Sequence, residues 1–160
     1  MNYRNTRFCE NLNIAQFDTE GQYNIPVLKP YVYEPCEFVG FNFAKSAKDK
    51  DKKGLHFFVD DYQFERLWRE PLAYINLIGQ FHSIMTPDFS LYTDYPKAIQ
   101  IYNHYRKHWL GALWQSMGYK VIPTIAWSDK ESFEWCFDGT PNGATVAVSS
   151  VGTQRSKETK

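Results

Sequence analysis

The chain is 160 residues long, 43% hydrophobic and formally neutral, with 18 basic and 18 acidic side chains. That length and apolar content suit one domain with a real core, and the charge balance excludes the overall basic surface that drives tight nucleic-acid or anionic-membrane binding. The amino terminus has no apolar stretch of signal-peptide character, nowhere do roughly eighteen apolar residues run together, and Cys9, Cys36 and Cys136 form no CxxC pair. A cytoplasmic protein with reduced thiols and no membrane partner is the expectation.

Residues 1–37 read as an extended arm, because Pro26, Pro30 and Pro35 each fix the backbone and remove a donor. A single α/β domain is expected over 38–152, opening with a short strand at 37–44. The charged stretch 45–54 has only Ala47 to bury and reads as a mobile loop. LHFFVD (55–60) has the length and apolarity of a buried strand. Asp61 is placed to cap the next helix, whose Phe64, Leu67 and Trp68 share one face. Pro71 ends that helix or starts another, which Gly79 closes.

The next strand is 82–86, and Thr86 to Asp94 forms a polar loop at its carboxyl end. The longest helix is predicted from an Asp94 cap, with Pro96 in its first turn, to Gly118. Ala98, Tyr102, Tyr105, Trp109, Ala112 and Leu113 give it one buried stripe, which leaves His104 and His108 on a solvated face. KVIPTIAW (120–127) is a strand in which Pro123 costs a ladder bond. Ser128 and Glu131 resemble a capping box for a helix over 131–138, and 144–150 forms a last strand before a polar tail at 153–160.

Strands alternating with helices predict an α/β fold, a mainly parallel sheet with crossover helices. The chain is long enough for only about half of an eightfold barrel. The expected architecture is therefore a half-barrel, or a truncated TIM-barrel-like domain, whose sequence stops short. A fourth strand left uncovered would expose a sheet edge and allow self-association.

In parallel sheets, ligands meet the carboxyl ends of the strands. Those ends carry Asp60, Asp88 and Ser149 as candidate catalytic groups, with Asp60 and Asp88 as the pair that would hold a divalent cation. Ser90, Trp127, Ser150 and Arg155 are the candidate substrate-binding residues: Trp127 offers a ring to stack on, and SSVGTQR offers hydroxyls and a cation to an anion. Asp61 and Ser128 have capping jobs that compete with any role in chemistry. The 18% aromatic content serves flat ligands as well as it serves core packing, and packing accounts for most of it.

The strings FNFAKSAKDK, HFFVDDYQFERLW, PDFSLYTDYPKAIQIYN, WQSMGYKVIPTIAWSDKESFEWCFDG and TVAVSSVG resemble, in order and over about residues 38–155, a bacterial and phage family, domain of unknown function 4417. The resemblance implies an association with phages and other mobile elements. It also implies that members continue past the position of Lys160, and it carries no assigned catalytic residues. Two readings follow: an enzyme with a carboxylate-lined cleft acting on a nucleotide or nucleic acid, or a non-catalytic module that binds nucleic acid or protein.

Overall fold

A computed structural model, which describes residues 10–150, joins the apolar runs through one row of branched side chains. Val39 lies opposite Leu55, Leu55 opposite Ile84, and Ile84 opposite Val121. These residues belong to four parallel strands that neighbour one another in sequence order: β3 (Glu37–Gly40), β4 (Lys53–His56), β5 (Ser83–Met85) and β6 (Val121–Ile122). Gly54 in β4 leaves room for the Phe38 ring of β3, whose nearest atom would lie 2.3 Å from an added Cβ. The mixed α/β class with a parallel sheet is as expected. No closed barrel forms among the described residues.

The strands are shorter than their apolar runs. β4 stops at His56, whose Nδ1 accepts from the Phe58 amide at 3.2 Å and turns the chain out of the ladder. β6 stops before Pro123, which has no amide to offer. Pairing resumes as a single bridge between Thr124 and Ala147, held by the Ile125 amide on the Ala147 carbonyl and the Ala147 amide on the Pro123 carbonyl, each at 2.8 Å. The predicted strand at 144–150 is thus one bridge.

The crossovers also depart from the capping signals. Asp61 lies in a short 3-10 turn, Asp61–Gln63, ahead of α1 (Glu65–Arg69), and caps nothing; α2 is Ile75–Ile78. The long helix α3 is Lys97–Ser116, entered from Pro96 and not from Asp94, because the Pro96 carbonyl takes the first helical bonds from Ile99 and Gln100. A residue before proline is driven out of helical geometry, so the helix cannot start earlier. At the far end Gly118, at φ +84°, stops it as expected. The predicted helix 131–138 is a 3-10 turn, Lys130–Glu134, capped by Asp129 through the Ser132 amide; Ser128 Oγ instead donates to Gln100 Oε1. The charged stretch before β4 contains a further 3-10 turn, Lys50–Lys52, and Lys50 Nζ donates to the Lys45 and Ala47 carbonyls.

The largest departure concerns the sides of α3. Ala98 and Tyr102 are exposed, whereas Asn103, His104, Arg106, Lys107 and His108 are buried. One side of α3 faces the sheet. The other is covered by the arm, which folds into an antiparallel hairpin, β1 (Thr19–Glu20) and β2 (Ile25–Pro26), around Gly21 and Asn24 at positive φ. Ile25 and Leu28 are buried there, Trp109 Nε1 donates to the Ala15 carbonyl at 3.2 Å, and Phe17 meets Trp109 edge-on at 5.9 Å.

Aromatic rings fill the space between the helices and the sheet. Phe57 stacks on Trp114 at 5.8 Å and on Phe41 at 5.2 Å, and Phe64 meets Phe89 edge-on at 5.1 Å. Each such ring contributes about 2–3 kcal/mol by leaving water. Gly111 is where the layers come closest: a Cβ there would lie 2.7 Å from Thr86 Cγ2 and 3.1 Å from Leu28 Cδ2. Gly111→Val is expected to destabilise the fold by about 1–3 kcal/mol through overpacking, read as a lower urea midpoint at unchanged slope.

Candidate functional site

The carboxyl ends of β5 and β6 are tied by two threonines. The Thr124 amide donates to Thr86 Oγ1 at 2.8 Å, Thr124 Oγ1 donates to the Thr86 carbonyl at 3.0 Å, and the two hydroxyls lie 2.8 Å apart. This knot stands in for a direct bond from the Thr124 amide to the Thr86 carbonyl, and it fixes the start of the loop carrying Asp88 and Ser90. The Ser90 amide and hydroxyl both donate to the Asp61 carboxylate, at 2.9 and 2.8 Å. Its carbonyl accepts from Asn103 Nδ2 at 2.7 Å. Arg106 then donates to Asn103 Oδ1 at 2.7 Å and to Glu65 Oε1 at 2.5 Å, and its guanidinium lies 4.0 Å from the Phe89 ring centre. Asp61, Ser90, Asn103, Arg106 and Glu65 therefore form one continuous brace.

Asp88 stands beside this brace. Its Oδ1 is buried without a hydrogen-bond partner, and burial raises its pKa, opposed by nearby Lys107 and reinforced by Asp61. Lys107 is 2% exposed. Burial lowers its pKa, opposed by Asp88 and then Cys136. Among the described residues no carboxylate comes within ion-pair distance of Lys107 Nζ. The two groups are close enough to influence each other's charge but are not in direct contact.

Two histidines complete the cluster. His104 Nε2 lies 3.0 Å from the Asp138 carbonyl and His108 Nδ1 lies 3.1 Å from the Pro26 carbonyl. A carbonyl only accepts, so each of those nitrogens carries the proton and the other nitrogen of each ring keeps a bare lone pair. Those bare atoms, His104 Nδ1 and His108 Nε2, are buried without partners. Burial, with Lys107 next in weight, holds His104 well below the usual histidine range and His108 down to about 3. The Cys136 thiol is pushed up to about 11, again chiefly by burial. It is 1% exposed and behaves as the small buried hydrophobe expected for it. Among the described residues no three His, Cys, Asp or Glu side chains gather to hold a metal.

The sequence-predicted residues occupy distinct environments. Asp60 is exposed at the entry to the 61–63 turn, Asp88 is half-buried with its Oδ1 shielded from solvent, and Ser90 is held by Asp61 and Asn103. Trp127 is 47% exposed and tilts toward Phe133 at 6.3 Å. Ser149 is half-buried and Ser150 exposed; Arg155 lies outside the described residues. Sequence reasoning missed Lys107, Asn103 and Arg106, and placed His104 and His108 in solvent. A signal was present: WLGALW (109–114) is apolar around the whole circumference of a helix, which requires burial on every side.

Burial raises the Asp88 carboxyl and lowers the Lys107 amine, and perturbation of this kind gathers at functional sites. Among the described residues no helix is long and apolar enough to cross a membrane. A family model described as Domain of unknown function (DUF4417) matches residues 17–160. The chain is 44% identical over 143 residues to the Gene 1 protein of Mycobacterium phage L5, covering 88% of this chain and 62% of that protein. It is 42% identical over 143 residues to the Gene 1 protein of Mycobacterium phage D29, covering 88% of this chain and 53% of that one. The chain thus spans less than two thirds of the length of these relatives. No solved structure matches.

Proposed function

The chain belongs to the DUF4417 family, which is phage-associated, and from that premise we propose that it is an enzyme acting on a nucleotide or nucleic acid in the host cytoplasm. Asp88 and Lys107 are its acid–base pair. The observation that carries this reading is the buried Asp88 Oδ1, without a hydrogen-bond partner, within electrostatic reach of the buried Lys107. A buried ion pair kept for stability alone gains by closing to direct contact, because only good geometry offsets the desolvation of both charges. Asp88 and Lys107 do not make that direct contact, which favours a role other than stability for the pair.

The sequential parallel order of β3 to β6 supports reading the sheet as half of a barrel with the pair at its carboxyl rim. Asp60, exposed at the same end of β4, supplies a second carboxylate with which Asp88 can share a divalent cation. Ser149 and Ser150 follow the next strand position and suit a phosphate.

The test is incubation of the protein with nucleoside mono-, di- and triphosphates and short oligonucleotides, with and without magnesium or manganese, followed by mass spectrometry. At least one class is expected to be converted. Asp88→Asn and Lys107→Met should each slow that conversion by about 10²–10⁴-fold while retaining a cooperative melt. A folded wild-type protein that leaves the whole panel unchanged would show that the pair is not catalytic on these substrates.

A further inference from the structure

Three aromatic rings stand in a row on the outer side of the segment that follows β6. Trp127, Phe133 and Phe137 are each about half exposed, at 47%, 49% and 47%. Phe133 lies 6.3 Å from Trp127 and 6.0 Å from Phe137, the last two rings almost parallel at 6°. Their neighbours in the chain point inward: Ser132, Trp135 and Cys136 are buried. Asp129 caps the turn through the Ser132 amide, and the Trp135 and Cys136 amides both donate to the Ser132 carbonyl, at 3.1 and 2.8 Å. The rings are thus displayed by a braced turn, and ordering them for a partner costs little entropy. Large apolar side chains gathered on a surface mark interaction sites more often than scattered ones do.

The charge around the row selects the partner. Asp129, Glu131 and Glu134 flank the rings along the chain, against Lys130 and against Lys97, which pairs with Glu131, while the Asp138 carboxylate lies against Gly21 of the hairpin. A nucleic-acid strand stacking its bases here would bring its phosphates against this excess of carboxylates. A guanidinium suits both features at once: its face stacks on a ring and its edge bonds a carboxylate.

We propose that Trp127, Phe133 and Phe137 form a docking surface for a basic, arginine-containing peptide segment of a partner protein. This surface is separate from the Asp88 and Lys107 pair and stands whether or not that pair is catalytic. The test uses the full chain and a fluorescent Arg-Gly repeat peptide of about ten residues, its Lys-Gly counterpart, and a fluorescent oligothymidine, with anisotropy at low salt. The Arg peptide is expected to bind more tightly than the Lys peptide. Phe133→Ala and Glu134→Lys, both exposed and remote from the core, should each weaken it by about tenfold or more. Tighter binding of oligothymidine would overturn the proposal, as would Arg-peptide affinity that Phe133→Ala leaves unchanged. So would self-association in sedimentation that Phe133→Ala removes, because the occupant would then be a second copy.

Discussion

Arg106→Ala is expected to lower the unfolding free energy by about 3–5 kcal/mol. The guanidinium is enclosed by Phe89 at 4.0 Å, Tyr102 at 5.1 Å and Trp68 at 5.9 Å, and it bonds both Glu65 and Asn103. Truncation removes the stacking and leaves the Glu65 carboxylate and the Asn103 carbonyl without their donor. The larger part of the loss comes from those stranded groups and not from the absent attraction. Arg106→Lys keeps the charge but not the planar fork, so it should recover less than half of the loss. Urea unfolding of the three proteins measures both effects. A loss below about 1 kcal/mol for the alanine variant would place Arg106 among ordinary surface ion pairs. Because Asn103 holds the Ser90 carbonyl, the same variant should loosen the loop that carries Asp88.

Acid should destabilise the protein well before its carboxylates titrate. His108 has a folded-state pKa of about 3 against an ordinary value of 6.5. Between those values the unfolded chain binds a proton that the folded chain refuses. Stability is therefore full above about pH 6.5 and falls as the pH drops toward 3. From His108 alone the loss at pH 5 is about 2 kcal/mol. His104, also lowered, acts with the same sign. Asp88 acts in the opposite sense, because its raised pKa lets the folded state take up a proton first as the pH falls. Lys107 remains protonated in the unfolded chain throughout this window. Urea midpoints at pH 7.5 and pH 5 test the balance, and His108→Gln should narrow the gap between them. A gap between the two midpoints that His108→Gln leaves unchanged would mean that the His108 ring is not held neutral.

The sheet was legible in the sequence because Leu55, Ile84 and Val121 sit in short apolar runs that only a buried strand satisfies, and its parallel order followed from the helices between them. Pro71 and Gly118 punctuate the chain where their backbone chemistry says they must. The helix caps were not legible. Asp61 and Ser128 have the right types at the right spacing, yet each found a partner distant in sequence, Ser90 and Gln100, that no local pattern announces. The burial of His104, Lys107 and His108 was hidden for a related reason. Periodicity reports one stripe of a helix, whereas the second wall comes from Ile25 and Leu28, in a proline-marked arm with no periodicity of its own.

The way that arm closes over α3 sets the timing of folding on the ribosome. His108 bonds the Pro26 carbonyl 82 residues back in the chain, and the Gly139 amide bonds Glu20 across 119 residues. At roughly 5–20 residues per second, Glu20 is made about 6–24 s before its partner. Until then the hairpin can settle on α3, complete by Ser116, but lacks the Gly139 segment that bonds Glu20 and Leu28. A nascent chain therefore carries its amino-terminal arm for many seconds before the segment that pins it has been made.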